Sequence, residues 1–205
     1  MYPEHLMTDI TIKQGARILS PSDYETLRTQ MPRYYQLICD AFLLSGMRPI
    51  EMQRFDPTWY RASRRVIQLP PDACLKERCK FKERTIKLSL AGCDAFDKLV
   101  SEKVNFKGKK IFAYEMIPRR VAFRDALIRY ATLAGIGTKG MTPKMFRKTL
   151  VSWLVACYPE QQLYIQSSMG HDADTIVHNY LGMVFTREQM DMMRSKYLNE
   201  WGVVV

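Results

Sequence analysis

Two short motifs place cations in settings where they can bind an anion. Arg48 stands between a helix-stopping glycine and the start of a new helix, and Glu51 follows it three residues later. Further along the chain, Lys144 and Arg147 are spaced by one helical turn near a predicted helix start. Arginine suits a phosphate because its planar fork donates two parallel hydrogen bonds and stays charged at any working pH.

A third motif adds a hydroxyl that can act as a nucleophile. Gly170 and His171 form a pair, and Tyr180 follows nine residues after the histidine. One tyrosine among 11 indicates nothing by itself, and each of the three motifs alone is common. Their order along the chain is the informative feature.

The charge of the chain is concentrated in its middle. The sequence of 205 residues has 31 Lys and Arg and 21 Asp and Glu, a net charge of +10. Residues 61–148 hold 22 basic and 8 acidic side chains, a net of +14, and the remainder holds 9 and 13, a net of −4. This distribution indicates one face that meets a polyanion.

The composition excludes several classes of protein. With 47% hydrophobic and 25% charged residues the chain is typical of a globular domain. The longest nearly apolar stretch, 150–158, is far shorter than the roughly 20 residues of a membrane span, so we expect no membrane association. Five cysteines without a CxxC pair argue against a disulfide framework and a zinc site, and with no export signal at the N-terminus they favour a cytoplasmic location.

The positions of apolar residues and helix-terminal residues predict a mainly α domain with one small antiparallel β-sheet, an α+β fold. A capping box at 22–25 is expected to open the first helix, and Gly46 to close a second helix over 33–45. Strand-like stretches at 65–69 and 84–89 flank a very basic connection. The other predicted helices cover residues 50–55, 93–104, 118–134, 143–157, 160–168, 173–181 and 187–199.

Taken in order, the motifs resemble the signature of the tyrosine recombinases, the phage integrase family. That signature is an arginine in a T-G-x-R-x-x-E box, a lysine on a β-hairpin, H-x-x-R, and G-H with a tyrosine nucleophile nine residues after the histidine. The resemblance covers roughly residues 20–185. It implies the family's catalytic-domain fold and a site-specific DNA recombinase (integrase) that cleaves and rejoins strands through a 3′-phosphotyrosyl intermediate, with no cofactor and no metal.

The resemblance also implies a role for each matched residue. Arg48 and Arg147 are expected to clamp the non-bridging oxygens of the scissile phosphate, and Tyr180 to attack its phosphorus. His171 is expected to hydrogen-bond the phosphate or to orient its neighbours. Glu51 is expected to hold Arg48 in position without contacting the phosphate itself.

A hairpin lysine fits the general acid that protonates the departing 5′-oxygen. Lys80 best matches the family's spacing before the second predicted strand. Lys76 serves if the turn is longer, and Lys82 is a third alternative.

The second motif departs from the family pattern. Lys144 replaces the usual histidine, and Lys148 stands where a histidine often follows the arginine. A K-x-x-R form is similar to that of archaeal and archaeal-virus integrases, which places this chain in that branch and predicts integration of a mobile element or viral genome. Lys144 is then expected to supply one more phosphate contact.

The resemblance further implies the organisation of the protein and its partners. We expect residues 1–205 to form a single catalytic domain without a counterpart of the family's N-terminal core-binding domain. The segment 186–205 is predicted to be a C-terminal helix and apolar tail, which either exchanges between protomers or packs on its own domain. The expected partner is double-stranded DNA at attachment or recombination sites, bound by a homotetramer that is a monomer or dimer in solution.

Two other functions remain compatible with the sequence. A type IB topoisomerase-like strand transferase shares the chemistry but relaxes DNA without exchanging partners. A DNA-binding protein that has the fold but no catalytic activity is favoured only by the K-x-x-R departure.

Overall fold

A computed structural model describes residues 11–73, 83–170 and 185–202. Within these residues most of the chain is helical, and three small antiparallel sheets lie between the helices. The helices are α1 Pro21–Thr29, α2 Arg33–Ser45, α3 Pro49–Gln53, α4 Leu90–Ser101, α5 Arg120–Ala134, α6 Lys144–Cys157, α7 Gln162–Met169 and α8 Arg187–Met192. A π-helical segment, Met193–Tyr197, continues α8.

The strands pair as hairpins and as one three-stranded sheet. They are β1 Ile12–Lys13, β2 Ala16–Arg17, β3 Tyr60–Arg61, β4 Val66–Leu69, β5 Arg84–Lys87, β6 Lys103–Phe106 and β7 Lys109–Phe112. Strands β3, β4 and β5 form the larger sheet in that order, with Leu69 opposite Arg84. The sequence analysis predicted β4 and β5 and their antiparallel pairing.

The core is built around α2, which packs against both α4 and α6. Its apolar positions, among them Leu37, Ile38 and Phe42, are buried. Helix α6 is buried along most of its length, and its Trp153 donates a hydrogen bond to the carbonyl of Leu19 at 2.9 Å. Because α2 and α6 are held by the core, the ends of both helices are fixed relative to each other.

The first helix begins earlier than the sequence analysis predicted. Ser20 caps it by accepting a hydrogen bond from the backbone N–H of Asp23 at 3.1 Å, and Pro21 is its first residue. The predicted capping box at 22–25 is therefore wrong. A proline is preferred at the first helical position because an N–H there would have no acceptor within the helix, so its absence costs nothing. The helix therefore starts at Pro21, and its cap lies two residues before the predicted one.

A hairpin that the sequence analysis missed ends α4 early. The helix predicted over 93–104 stops at Ser101, and the chain continues as β6 and β7. Lys107 and Gly108 both have positive φ, as expected in the turn between two paired strands. The turn between β6 and β7 therefore determined the structure here, although the spacing of apolar residues before it predicted a helix.

The described part of the C-terminal segment packs on its own domain. Leu198 and Trp201 are buried, and the Trp201 indole donates to the carbonyl of Lys87 at 3.1 Å. Ser89 donates to the carbonyl of Tyr197 at 2.6 Å. Exchange of the segment 186–205 between protomers stays a prediction, and the predicted helix over 173–181 lies outside the described residues.

Candidate active site

Four helix ends meet at one corner of the domain. Helix α2 ends there at Gly46 and α7 ends at Gly170, each glycine in the left-handed conformation with φ of 61°. The starts of α3 and α6 bring Arg48 and Arg147 to the same corner. Glycine is suited to both helix ends because an added Cβ disfavours positive φ.

Arg48 is held by the carboxylate three residues after it. Its backbone N–H donates to Glu51 Oε2 at 2.6 Å, and its Nη1 donates to Glu51 Oε1 at 2.7 Å. A third, longer hydrogen bond of 3.4 Å runs from its Nη2 to the carbonyl of Gly170. The expected contact between Glu51 and Arg48 is therefore present, and it fixes the guanidinium from two directions.

Arg147 is buried and bridges the ends of two helices. Its Nη1 donates to the carbonyl of Gly46 at 2.8 Å, and its Nη2 donates to the carbonyl of Met169. The last carbonyls of a helix have no N–H donor within the helix, so the guanidinium supplies the hydrogen bonds that they lack. The structure thus brings Arg48 and Arg147 together around Gly46 and Gly170.

Arg84 is a site residue that the sequence analysis did not recognise. It donates to both oxygens of Glu51, at 2.8 and 2.7 Å, and its Nε donates to the carbonyl of Ser168 at 3.2 Å. Its side chain is only 3% exposed. Alternation along β5 places Arg84 on the same face as the fully buried Ile86, and this signal could have identified it from the sequence.

Glu51 is fully buried and carries a negative charge. Burial alone raises the pKa of a carboxyl, but the hydrogen bonds and charge of Arg84, followed by the charges of Arg48 and Arg147, outweigh it. The result is a Glu51 pKa lowered to about 2. Glu51 is therefore ionised at neutral pH, and the corner holds three arginines around one carboxylate among the described residues.

Lys144 and Lys148 have different surroundings on α6. Lys144 is exposed in the first turn of the helix, three residues before Arg147 and so on a neighbouring part of its surface. The Lys148 ammonium donates to the carbonyl of Lys13 at 2.6 Å, in the hairpin of β1 and β2. Burial and the nearby charges of Lys144 and Lys13 lower the pKa of Lys148. Position 148 therefore anchors the N-terminal hairpin.

The other predicted site residues lie outside the described residues. These are Lys80 with its alternatives Lys76 and Lys82, and His171 and Tyr180. Their roles stay predictions. His171 follows Gly170 directly in the sequence, so the segment carrying it and Tyr180 starts at the corner where the arginines meet.

The described residues can bind an anion at this corner. The Arg48 guanidinium is partly exposed and is the kind of fork-shaped donor that matches a phosphate, and buried Arg147 adds positive charge at the same corner. Among these same residues, no cluster of three or more His, Cys, Asp or Glu side chains could hold a metal ion. In the chain segments with assigned structure, no helix has the length and apolarity to cross a bilayer.

Comparison with known proteins rests on solved structures, since no protein-family model and no curated protein sequence matches the chain. The integrase of transposon Tn1549, in complex with circular intermediate DNA, matches 85% of this chain with a TM-score of 0.58 at 17% identity. The XerH site-specific recombinase bound to difH matches 91% with a TM-score of 0.55 at 15% identity. Lambda integrase bound to DNA matches 95% with a TM-score of 0.55 at 12% identity.

These likenesses establish the fold. The chain is a mainly helical α+β protein with the fold of the tyrosine recombinase catalytic domain, as the sequence analysis predicted. It spans 64% of the length of the matched Tn1549 integrase chain and 56% of the XerH chain.

Proposed function

We propose that this chain is a site-specific DNA recombinase of the integrase type, acting through Tyr180. The observation that carries the proposal is the meeting of Arg48 and Arg147, far apart in sequence, at the corner from which the segment with His171 and Tyr180 continues. Two fold neighbours are integrases solved with DNA, which supports DNA as the substrate. The basic middle of the chain supports binding dominated by phosphate contacts.

The proposed reaction exchanges one phosphoester for another. The hydroxyl of Tyr180 gives its proton to water and attacks the scissile phosphorus, which forms a 3′-phosphotyrosyl bond and breaks the bond to the 5′-oxygen. Lys80 gives that oxygen its proton, while Arg48 and Arg147 stabilise the charge on the non-bridging oxygens. Because the phosphoester is retained, attack by a 5′-hydroxyl of another strand rejoins the DNA without ATP.

The finer features of the proposal come from the sequence. The Lys144-x-x-Arg147 form supports assignment to the archaeal and archaeal-virus branch, and a host cytoplasm is the corresponding location. A homotetramer on double-stranded DNA is the proposed active assembly.

Covalent trapping tests the proposed reaction. The protein is incubated in EDTA with labelled DNA from the surroundings of its own gene, nicked so that the cut strand cannot rejoin, and run on a denaturing gel. We expect an adduct with the wild-type chain and none with Tyr180→Phe. Tyr164→Phe is the matched control because Tyr164 is 57% exposed on α7 and has no assigned role.

Each other outcome identifies an alternative. An adduct that persists in Tyr180→Phe contradicts the assignment of the nucleophile. DNA binding without any adduct supports a protein that binds but does not cut. An adduct accompanied by relaxation of supercoiled DNA, with no exchange between two sites, supports the topoisomerase-like activity.

A further inference from the structure

Three consecutive carbonyls at the end of α7 each accept a hydrogen bond from a different arginine. Arg84 donates to Ser168 at 3.2 Å, Arg147 donates to Met169, and Arg48 donates to Gly170 at 3.4 Å. The three arginines come from β5, α6 and the start of α3. The end of α7 is therefore tied at once to three other elements of the domain.

Glu51 joins two of these arginines to each other. Each of its oxygens accepts from Arg84, and each also accepts from Arg48, through the guanidinium at Oε1 and the backbone N–H at Oε2. Glu51 is fully buried, so no water competes for these contacts. The carboxylate therefore transmits the position of Arg84 to the guanidinium of Arg48.

Arg84 cannot itself be part of a phosphate clamp in this arrangement. Its side chain is 3% exposed, and its Nη1, Nη2 and Nε are all engaged by Glu51 and Ser168. Arg48, by contrast, has a side chain that is 24% exposed at the same corner. Arg84, whose Nε is engaged as well as both Nη atoms, is therefore placed to act on the reaction by fixing its neighbours.

We infer that Arg84 is a positioning residue for strand cleavage, which sets the guanidinium of Arg48 through Glu51 and holds the end of α7 through Ser168. This inference rests on the proposed function. Arg84 also opens β5, directly after the connection that carries Lys80 and its alternatives. One side chain thus links the strand that follows the general acid to the phosphate clamp.

The test compares Arg84→Met with wild type in single-turnover cleavage of the nicked DNA. A misplacement of about 1 Å in a positioned group costs about 10²-fold in rate. We expect Arg84→Met to lower the cleavage rate of the bound complex by about that factor, with DNA affinity within a few-fold of wild type. Arg84→Lys, which keeps the charge but not the fork, is expected to fall between the two.

A pH profile separates positioning from a general structural role. The charged groups facing Glu51 are Arg48 on α3, Arg84 on β5 and Arg147 on α6. The hydrogen bonds and charge of Arg84 are the largest influence that lowers the pKa of Glu51. Without them the burial of Glu51, which raises its pKa, is opposed less, so the pKa rises. The rate of Arg84→Met relative to wild type should then fall further as pH decreases from about 8 to about 5, because a protonated Glu51 no longer holds Arg48.

Two variants check the origin of this effect. In the double variant Arg84→Met/Glu51→Gln the added pH dependence should disappear, since no carboxyl remains to titrate. Arg28→Met is the matched control because Arg28 also donates to both oxygens of a carboxylate, that of Asp40, in another part of the domain. It should lower stability without changing the cleavage rate of folded protein. The inference is overturned if folded Arg84→Met cleaves at the wild-type rate, or slower by a factor that does not change with pH.

A spectroscopic readout keeps this inference separate from the proposed function. If the wild-type chain forms no adduct, the proposed function fails, and the position of Arg48 is followed instead by the NMR resonance of its Nε–H, assigned by its loss in Arg48→Lys. Arg84→Met should shift that resonance and Arg28→Met should not. An unchanged Arg48 resonance in folded Arg84→Met contradicts the inference whatever the chain does to DNA.

Discussion

Two regions of the domain hold a carboxylate in the fork of an arginine, and they differ in what surrounds the pair. Between α1 and α2, Arg28 donates to both oxygens of Asp40, which also accepts the hydroxyl of Tyr24 at 2.6 Å. At the corner of α3 and α7, Glu51 lies in the fork of Arg84, with two further arginines close by. The first pair is partly exposed and balanced in charge, whereas the second is buried and has a surplus of positive charge.

The comparison shows which of these features indicates function. A single ion pair neutralises itself, and pairs of this kind occur throughout protein structures for structural reasons. A buried surplus of positive charge is unfavourable until an anion arrives, so the fold retains it where an anion is bound. Among the described residues, the surplus at Glu51 therefore distinguishes the corner that we propose as the phosphate site, and the fork at Asp40 is a structural contact between two helices.

The largest expected effect follows from removing one of the three arginines around Glu51. Arg147→Met should lower adduct formation by at least about 10²- to 10³-fold, the range found when one donor to a transition-state oxyanion is lost. Arg28→Met should leave the rate of folded protein unchanged. Single-turnover trapping of the nicked DNA measures both variants.

Arg147 also holds the carbonyls of Gly46 and Met169, so a second variant is needed to separate chemistry from folding. Arg147→Lys keeps the positive charge but cannot reach both carbonyls as a planar fork does. It should bind DNA with nearly wild-type affinity and still cleave poorly. Equal cleavage by Arg147→Met and Arg28→Met would remove the distinction between the two regions.

A smaller effect concerns stability and pH at Glu51. Its pKa in the folded protein is lowered from an ordinary 4.5 to about 2, so ionised Glu51 stabilises the fold above pH 4.5. That contribution is lost as pH falls from 4.5 towards 2, and it amounts to about 3 kcal/mol. Glu51→Gln lacks the titration, so the free energy of unfolding of wild type should exceed that of Glu51→Gln at pH 7 and approach it in acid.

Urea unfolding of both proteins between about pH 7 and pH 3 measures this difference. The two proteins differ only at residue 51. The other carboxyls titrate equally in both, so their contribution cancels in the difference of unfolding free energy. A difference that stays constant across the range would mean that the three arginines do not lower the pKa of Glu51.

The sequence predicted the parts of this molecule that depend on local signals. Gly46 ends α2 where the sequence analysis placed it, since a left-handed helix end has a recognisable residue. Helix α6, with Pro143 before it, was predicted to within one residue. The ordered motifs also led to the correct fold, because Arg48 and Arg147 were taken as one set despite the 98 residues between them.

What the sequence analysis missed depends on contacts distant in the chain. Arg84 was predicted only as the first residue of a strand, although alternation with Ile86 already placed it on the buried face of β5. Its partner Glu51 is 33 positions away and Ser168 is 84 positions away, and no local pattern connects them. Lys148 was interpreted only as a departure from a motif, whereas its ammonium binds the β1–β2 hairpin 135 positions earlier.

The smallest expected difference, about 1–3 kcal/mol between two alanine variants, tests how tightly the corner is packed. Gly46 and Gly135 both end a helix with positive φ, but a Cβ on Gly46 would lie 2.8 Å from Met169 Sδ and 3.0 Å from Leu150 Cδ2, whereas one on Gly135 would meet nothing within 4 Å. Gly135→Ala should therefore cost only the left-handed conformation, about 1–2 kcal/mol of unfolding free energy. Gly46→Ala should cost about 1–3 kcal/mol more, because its neighbours must shift.

The two alanine variants also separate strain from function. The carbonyl of Gly46 accepts from Arg147, so a displaced Gly46 moves the clamp as well as the core. Gly46→Ala should lower the cleavage rate of the folded protein, measured well below its unfolding midpoint, while Gly135→Ala should not. If both variants lose the same stability and neither changes cleavage, the corner tolerates displacement, and the position of Arg147 is then set by Met169 rather than by the end of α2.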